Sequence, residues 1–197
     1  MRTKKNIELN RQLFHLFFGI FIIILLYFSI INLWMILILF IVSIFISIIS
    51  KYKRIPIIDF MLRNFDREGQ TYPGNGAVSY LLGIILTLLI FDTILNFKNI
   101  ALASIAIMVV GDSVATMVGI FFGRTRNPLN ALKTLEGSIA GIIFAFLAGI
   151  IFVHPVNALF ASIISMIFEA VDKEYFKIDD NIIVPLTAGV VLILMIL

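Results

Sequence analysis

The stretch Leu13–Ser50, LFHLFFGIFIIILLYFSIINLWMILILFIVSIFISIIS, contains no Asp, Glu, Lys or Arg. A helix crossing a bilayer needs about 20 mostly apolar residues, so this stretch is long enough for two. The break falls at Asn32, which predicts spans over 13–31 and 33–50 joined as a helical hairpin. The runs are too long and unbroken for the alternating strands of a barrel, so helices are expected. The first run also outlasts a signal-peptide apolar core, and no small-residue cleavage site follows it before the next span.

Five further apolar runs lie downstream, roughly 76–95, 100–122, 137–153, 156–171 and 182–197. The expected fold is therefore all-α: a polytopic transmembrane helix bundle of about seven spans, forming one unit over residues 1–197. The last two runs are short, which suits tilted or partly re-entrant helices. Composition agrees. Of 197 residues, 61% are hydrophobic and 14% charged, with mean hydropathy +1.10, against about 45–50% and about 25% in soluble domains. Disorder, soluble all-β folds and collagen are excluded, and the absence of Cys excludes a disulfide scaffold. The net charge of +3 is small, and no nucleic-acid polymer is expected as a partner.

The basic residues are sorted. Arg2, Lys4, Lys5 and Arg11 precede the first span, Lys51 to Arg67 follow the second, Arg124, Arg126 and Lys133 follow the fourth, and Lys173 and Lys177 follow the sixth. Lys98 alone falls in the alternate loops. The positive-inside bias then predicts a multi-pass protein of the cell membrane with a cytoplasmic N-terminus, an external C-terminus and any chemistry at the cytoplasmic face. The segment 56–65 carries apolar residues at helical spacing, which fits a helix lying on the membrane surface or an ordinary connecting helix.

Certain residues are ones a plain bundle would not need. Asp112 sits within the fourth span, in MVVGDSVATMVGIFFGR (Met108–Arg124), where an ionisable group costs a few kcal/mol and marks a functional site by default. A structural carboxyl hydrogen-bonded to a neighbouring helix is the alternative. Ala115, Thr116, Gly119 and Gly123 share its helix face, and Gly137, Gly141, Ala145 and Gly149 form a matching small face on the fifth span, so these two helices are expected to pack together. Between them, Lys133, Thr134, Glu136 and Gly137 cluster at a helix N-terminus, whose free N–H groups and dipole suit a phosphate, with Arg124 and Arg126 close by. Membrane-end anchoring for the arginines and plain N-capping for Thr134 are the alternatives.

Asp179, Asp180 and Asn181 precede the last span, and Glu169 ends the sixth. Adjacent acids are good hard-oxygen ligands for Mg²⁺, with a turn and helix cap as the alternative. Arg11 and His15 share a face at the start of the first span, with a packing role as the alternative for His15. Glu68, Gly74 and Gly76 lie in the loop REGQTYPGNG, where the glycines either approach a ligand or turn the chain.

The segments ELNRQLFHLFFG, REGQTYPGNGAVSYLLG, GDSVATMVGIFFGR, KTLEGSIAG and DDNIIVPL together resemble the dolichol kinase family and its phytol kinase and CTP-dependent diacylglycerol kinase relatives. One departure is Arg11-Gln12, where family members often have Arg-Lys. The resemblance implies phosphoryl transfer, with CTP as donor and Mg²⁺ as cofactor, to the hydroxyl of a membrane lipid alcohol, either a polyprenol-type isoprenoid alcohol or a diacylglycerol. On that reading Asp112, Lys133 and Glu136 are catalytic. Arg124, Lys133, Thr134, Gly137, Ser138, Gly119 and Gly123 bind the nucleotide. Asp112, Glu136, Asp179 and Asp180 hold the metal, and Arg11, His15, Glu68, Glu169 and Asn181 orient phosphate or headgroup. A CTP-dependent cytidylyltransferase making a CDP-lipid is the near alternative, and a small proton-coupled transporter using Asp112 the distant one. Oligomeric state is open in the sequence.

Overall fold

The computed structural model describes residues 4–53, 56–65, 73–171 and 178–196. Glu68, expected near the headgroup, lies outside the described residues. Among those described the fold is helical. Helix α1 is Lys4–Tyr27, α2 Leu33–Tyr52, α3 Pro56–Phe65, α4 Asn75–Thr87, α5 Lys98–Phe122, α6 Leu135–Gly149, α7 Pro155–Ala170 and α8 Asp180–Leu194. A π-helical segment, Leu88–Ile94, continues α4. Two short antiparallel strands, β1 (Arg126–Asn127) and β2 (Asn130–Thr134), form a hairpin between α5 and α6. The expectation of a purely helical chain did not include this hairpin.

The apolar runs become helices because a backbone surrounded by hydrocarbon must satisfy its own N–H and C=O groups. Asn32 marks the expected break as the N-cap of α2, its side chain accepting from the Met35 amide. Four helices are long and apolar enough to cross a membrane: α1, α2, α4 with its π-helical continuation, and α5. Helices α6, α7 and α8 are also apolar but shorter, with 15, 16 and 15 residues, or about 22–24 Å at 1.5 Å per residue.

The bundle is built around α5. Fourteen of its 25 residues are buried, and it packs against α1, α6, α7, α8 and the π-helical segment, most extensively against α6. The α5–α6 pairing expected from the two small-residue faces is present. A Cβ on Gly137 would lie 2.5 Å from the Ala115 carbonyl oxygen, and one on Gly141 would lie 2.8 Å from Ala115 Cβ. Side chains there would force the two backbones apart. Helix α2, by contrast, leaves Trp34, Ile38 and Phe45 exposed, as suits a helix facing lipid tails.

Helix α8 contains Pro185. Proline has no N–H to give the carbonyl four residues earlier, which is that of Asn181. Helix α4 comes against this same carbonyl at Gly83, where a Cβ would lie 1.9 Å from the oxygen. That contact fixes the start of α8, and hence Asp180, against α4. Gly83→Ala is expected to destabilise the protein by about 2 kcal/mol through overpacking, read as a lower unfolding midpoint in detergent. Gly76→Ala, where an added Cβ meets nothing within 4 Å, is expected to leave the midpoint within about 0.5 kcal/mol. Equal effects at the two glycines would contradict this account of the α4–α8 contact.

Candidate active site

Asp112 lies about 15 Å along α5 from its Phe122 end, at 1.5 Å per residue. Glu169 is in the last turn of α7, and Asp180 opens α8. One carboxylate oxygen from each of the three lies within 4.8 Å of the others, and all three residues are buried. Helices α7 and α8 therefore end at the depth of Asp112, while α5 runs on beyond them. Their shortness opens a recess, and the protruding part of α5 forms one wall of it.

The hairpin delivers a cation to this recess. Its turns are set by two asparagine side chains: Asn127 accepts from the Leu129 amide and Asn130 from the Leu132 amide, each at 2.9 Å. It is pinned to α6 by Asn127 Nδ2 donating to Ser138 Oγ at 2.8 Å, and by the Thr125 amide donating to the Glu136 carboxylate at 3.0 and 3.2 Å. Thr134 caps α6, accepting from the Gly137 amide at 3.2 Å. So held, β2 places Lys133 Nζ 2.5 Å from Glu169 Oε1 and 3.8 Å from Asp180 Oδ2, and the ammonium also donates to the Glu169 carbonyl. Burial works to lower the Lys133 pKa, but the carboxylates of Glu169 and Asp180 outweigh it and hold the ammonium above its ordinary value. Lys133 is therefore a fixed positive charge throughout the neutral range.

One cavity reaches this cluster at Lys133 and Glu169, and a second comes near it at Asn181, the neighbour of Asp180. The first, of about 330 Å³, has a largely polar lining that includes Glu8, Thr116, Lys133, Thr134, Ser138 and Glu169. The other, of about 480 Å³, is an apolar cleft between α1, α2, α3 and α4. Phe14, Phe18, Leu39, Ile46, Met61 and Phe65 line it, and its polar groups include Arg11, His15, Tyr80 and Asn181. The 56–65 segment is the helix α3, and it contributes a wall of this cleft.

The expected site residues divide accordingly. Asp112, Lys133, Glu169 and Asp180 come together, although Glu169 had been expected among the orienting residues rather than the metal ligands. Gly119, Thr134 and Ser138 line the polar cavity, and Arg11, His15 and Asn181 line the cleft. Glu136 and Asp179, expected as metal ligands, are not in the acidic cluster. The Glu136 carboxylate takes the Thr125 amide, and Asp179 caps α8 by accepting from the Asn181 amide at 3.1 Å. Gly123 and Gly137 serve close packing around Thr134 and Ala115. Arg124 is exposed at the end of α5 and does not line the cavity. Sequence reasoning singled out neither Glu8 nor Tyr80. The i, i+3 spacing of Glu8 to Arg11 was the available signal for the first. Tyr80 sits in an apolar run with nothing to distinguish it.

The donor set fits a divalent cation. The three carboxylates supply hard oxygen atoms of the kind Mg²⁺ takes. With all of them ionised, three negative charges against the one of Lys133 leave a net charge of −2. Glu169 Oε2 is buried with no hydrogen-bond partner among the described residues, so a ligand atom is left over. Lys133→Met would strand the buried carboxylates, and breaking a buried pair costs about 3–5 kcal/mol. Lys133 is itself partly exposed, so a loss near about 3 kcal/mol is expected in denaturant unfolding, with most of it recovered when Glu169→Gln is added. No recovery in the double variant would show that Lys133 does not serve to balance Glu169.

The Cytidylyltransferase family matches residues 1–195. An uncharacterized protein of Methanocaldococcus jannaschii is 34% identical over 152 residues, covering 71% of this chain and 70% of that protein. A probable chloroplastic phytol kinase 1 of Glycine max is 32% identical over 88 residues. That match covers 44% of this chain and only 28% of the plant protein. No solved structure matches the chain. With a family match running through nearly the whole sequence, the chain belongs to the cytidylyltransferase family that includes the dolichol, phytol and diacylglycerol kinases.

Proposed function

We propose that this protein is a membrane lipid kinase that transfers the terminal phosphoryl group of CTP to the hydroxyl of a lipid alcohol, a polyprenol-type isoprenoid alcohol or a diacylglycerol. The observation that carries this reading is the Asp112–Glu169–Asp180 cluster with Lys133, whose Lys133 and Glu169 line a polar cavity and whose Asp180 neighbours Asn181 of an apolar cleft. A water-soluble donor and a lipid acceptor need such a pair of sites near one charged point. The family and the phytol kinase likeness support the same reaction class.

Phosphoryl transfer is mostly positioning and charge neutralisation. The nucleotide occupies the polar cavity, with Lys133 and the first turn of α6 at Thr134 and Ser138 facing its phosphates. Arg124, exposed beyond α5, meets the phosphates nearer solvent. Asp112, Glu169 and Asp180 would hold Mg²⁺, which when bound offsets the charge on the transferred group. The lipid lies in the apolar cleft with its hydroxyl toward Arg11, His15 and Asn181. The lipid oxygen forms its bond to the terminal phosphorus as the bond to the departing diphosphate breaks. Asp112 accepts the hydroxyl proton. The chain crosses the membrane about seven times with its N-terminus in the cytoplasm. With this orientation the cavity, lined by α1, α5, the hairpin, α6 and the end of α7, would open on the side where nucleotide is available.

The family description also favours a second reading, cytidylyl transfer to a phosphorylated lipid. The products separate the two: CDP and lipid phosphate for the kinase, pyrophosphate and a CDP-lipid for the alternative. Purified protein given CTP, Mg²⁺ and a panel of lipid alcohols is expected to yield CDP and lipid phosphate. Asp112→Asn is expected to lower this transfer by at least about a hundredfold while the protein still inserts and folds. Wild-type transfer in that variant would remove Asp112 from the chemistry.

A further inference from the structure

Arg11 and Glu8 stand where the two cavities adjoin. Glu8 lines the polar cavity, and Arg11 lines the apolar cleft. Three residues apart on α1, they share a face, and the Glu8 carboxylate takes two donors of one guanidinium. Arg11 Nε donates to Oε2 at 3.0 Å, and Nη2 donates to Oε1. Gln12 Nε2 adds a third hydrogen bond to Oε1 at 3.2 Å. A guanidinium has five N–H donors. The other three of Arg11 meet no hydrogen-bond acceptor among the described residues. The pair is shielded, with the Arg11 side chain 17% exposed and that of Glu8 34%, so its charges interact more strongly than a surface pair.

Resting on the lipid kinase reading, we propose that Glu8 is a positioning residue that competes with the phosphorylated lipid for Arg11 and so promotes product release. While the acceptor is a neutral alcohol, the fork to Glu8 fixes the guanidinium and leaves its free donors toward the cleft. Phosphorylation converts that alcohol into an anion next to Arg11. An anion would draw the guanidinium into charge-assisted hydrogen bonds and hold the product in place. Glu8 opposes this twice, by keeping two of the donors and by repelling the new charge.

The test is equilibrium binding of a prenyl monophosphate and of the parent prenol to the full chain in nanodiscs, without nucleotide. Glu8→Gln removes the carboxylate charge at nearly constant shape. It is expected to tighten the monophosphate by about tenfold, the scale of one charge-assisted hydrogen bond, and to leave the prenol unchanged or weaker. In an Arg11→Ala background the same change is expected to shift monophosphate binding by less than about twofold, as a double-mutant cycle requires when the effect runs through Arg11. Unchanged or weaker monophosphate binding in Glu8→Gln would overturn the proposal. So would a tenfold gain that persists without Arg11. A merely structural role for Glu8 would lower the unfolding midpoint and weaken both ligands together. Because these readouts need no turnover, failure of wild-type protein to phosphorylate any lipid alcohol would reject the kinase reading separately.

Discussion

Three carboxylates brought together in the interior of an apolar bundle are the costliest feature of this protein. Isolated, each would meet a desolvation penalty of several kcal/mol, and like charges within 4.8 Å of one another add repulsion. The rest of the structure is arranged around this problem. Lys133 reaches in from the hairpin to Glu169 and Asp180, and the hairpin is locked by Asn127, Ser138, Glu136 and Thr125 so that the ammonium stays there. A cluster held at such cost, with one carboxylate oxygen of Glu169 still unpartnered among the described residues, is better suited to binding a further cation than to holding the fold together.

Helix length determines where the cluster can meet. Helix α5 is long enough to cross a membrane, whereas α7 and α8 are about two-thirds of its length. Their ends stop beside Asp112 in the middle of α5. This converts what would be a sealed bundle into one with a recess, whose wall is the small-residue face of α5 at Ala115, Thr116 and Gly119. Glycines at the α5–α6 contact let the hairpin root come close enough for Lys133 to reach the acids. On the other side α3, amphipathic and lying across the cleft, gives an apolar compartment that a lipid tail can occupy. The polar cavity includes Glu169 of the acids and the apolar cleft includes Asn181, next to Asp180, which is the order the proposed reaction uses.

Much of the helical frame was legible because it is written in apolar runs. The span expected over 33–50 is α2, Leu33–Tyr52, and that over 100–122 is α5, Lys98–Phe122. The start of α1 was less so. The helix begins at Lys4 in polar sequence, where the Glu8–Arg11–Gln12 contacts support it without any hydrophobic periodicity. The short hairpin depends on asparagine side chains turning the backbone, a signal that marks a turn and not the strands on either side of it. In the site, Asp112 and Lys133 stood out as charges in unusual places. The meeting of Glu169 with them, and the absence of Glu136 from the cluster, depend on the depth at which α7 ends and on which amide lies nearest Glu136. Neither can be read from spacing along the chain.

The central claim is that Asp112, Glu169 and Asp180 form a single divalent-cation site. The most direct measurement is Mn²⁺ binding followed by electron paramagnetic resonance on the purified chain without nucleotide or lipid. One ion bound per chain is expected, lost in Asp112→Asn and in Asp180→Asn and retained in Glu136→Gln. Binding that survives Asp112→Asn and Asp180→Asn but disappears in Glu136→Gln, or no binding to the wild-type protein, would contradict it.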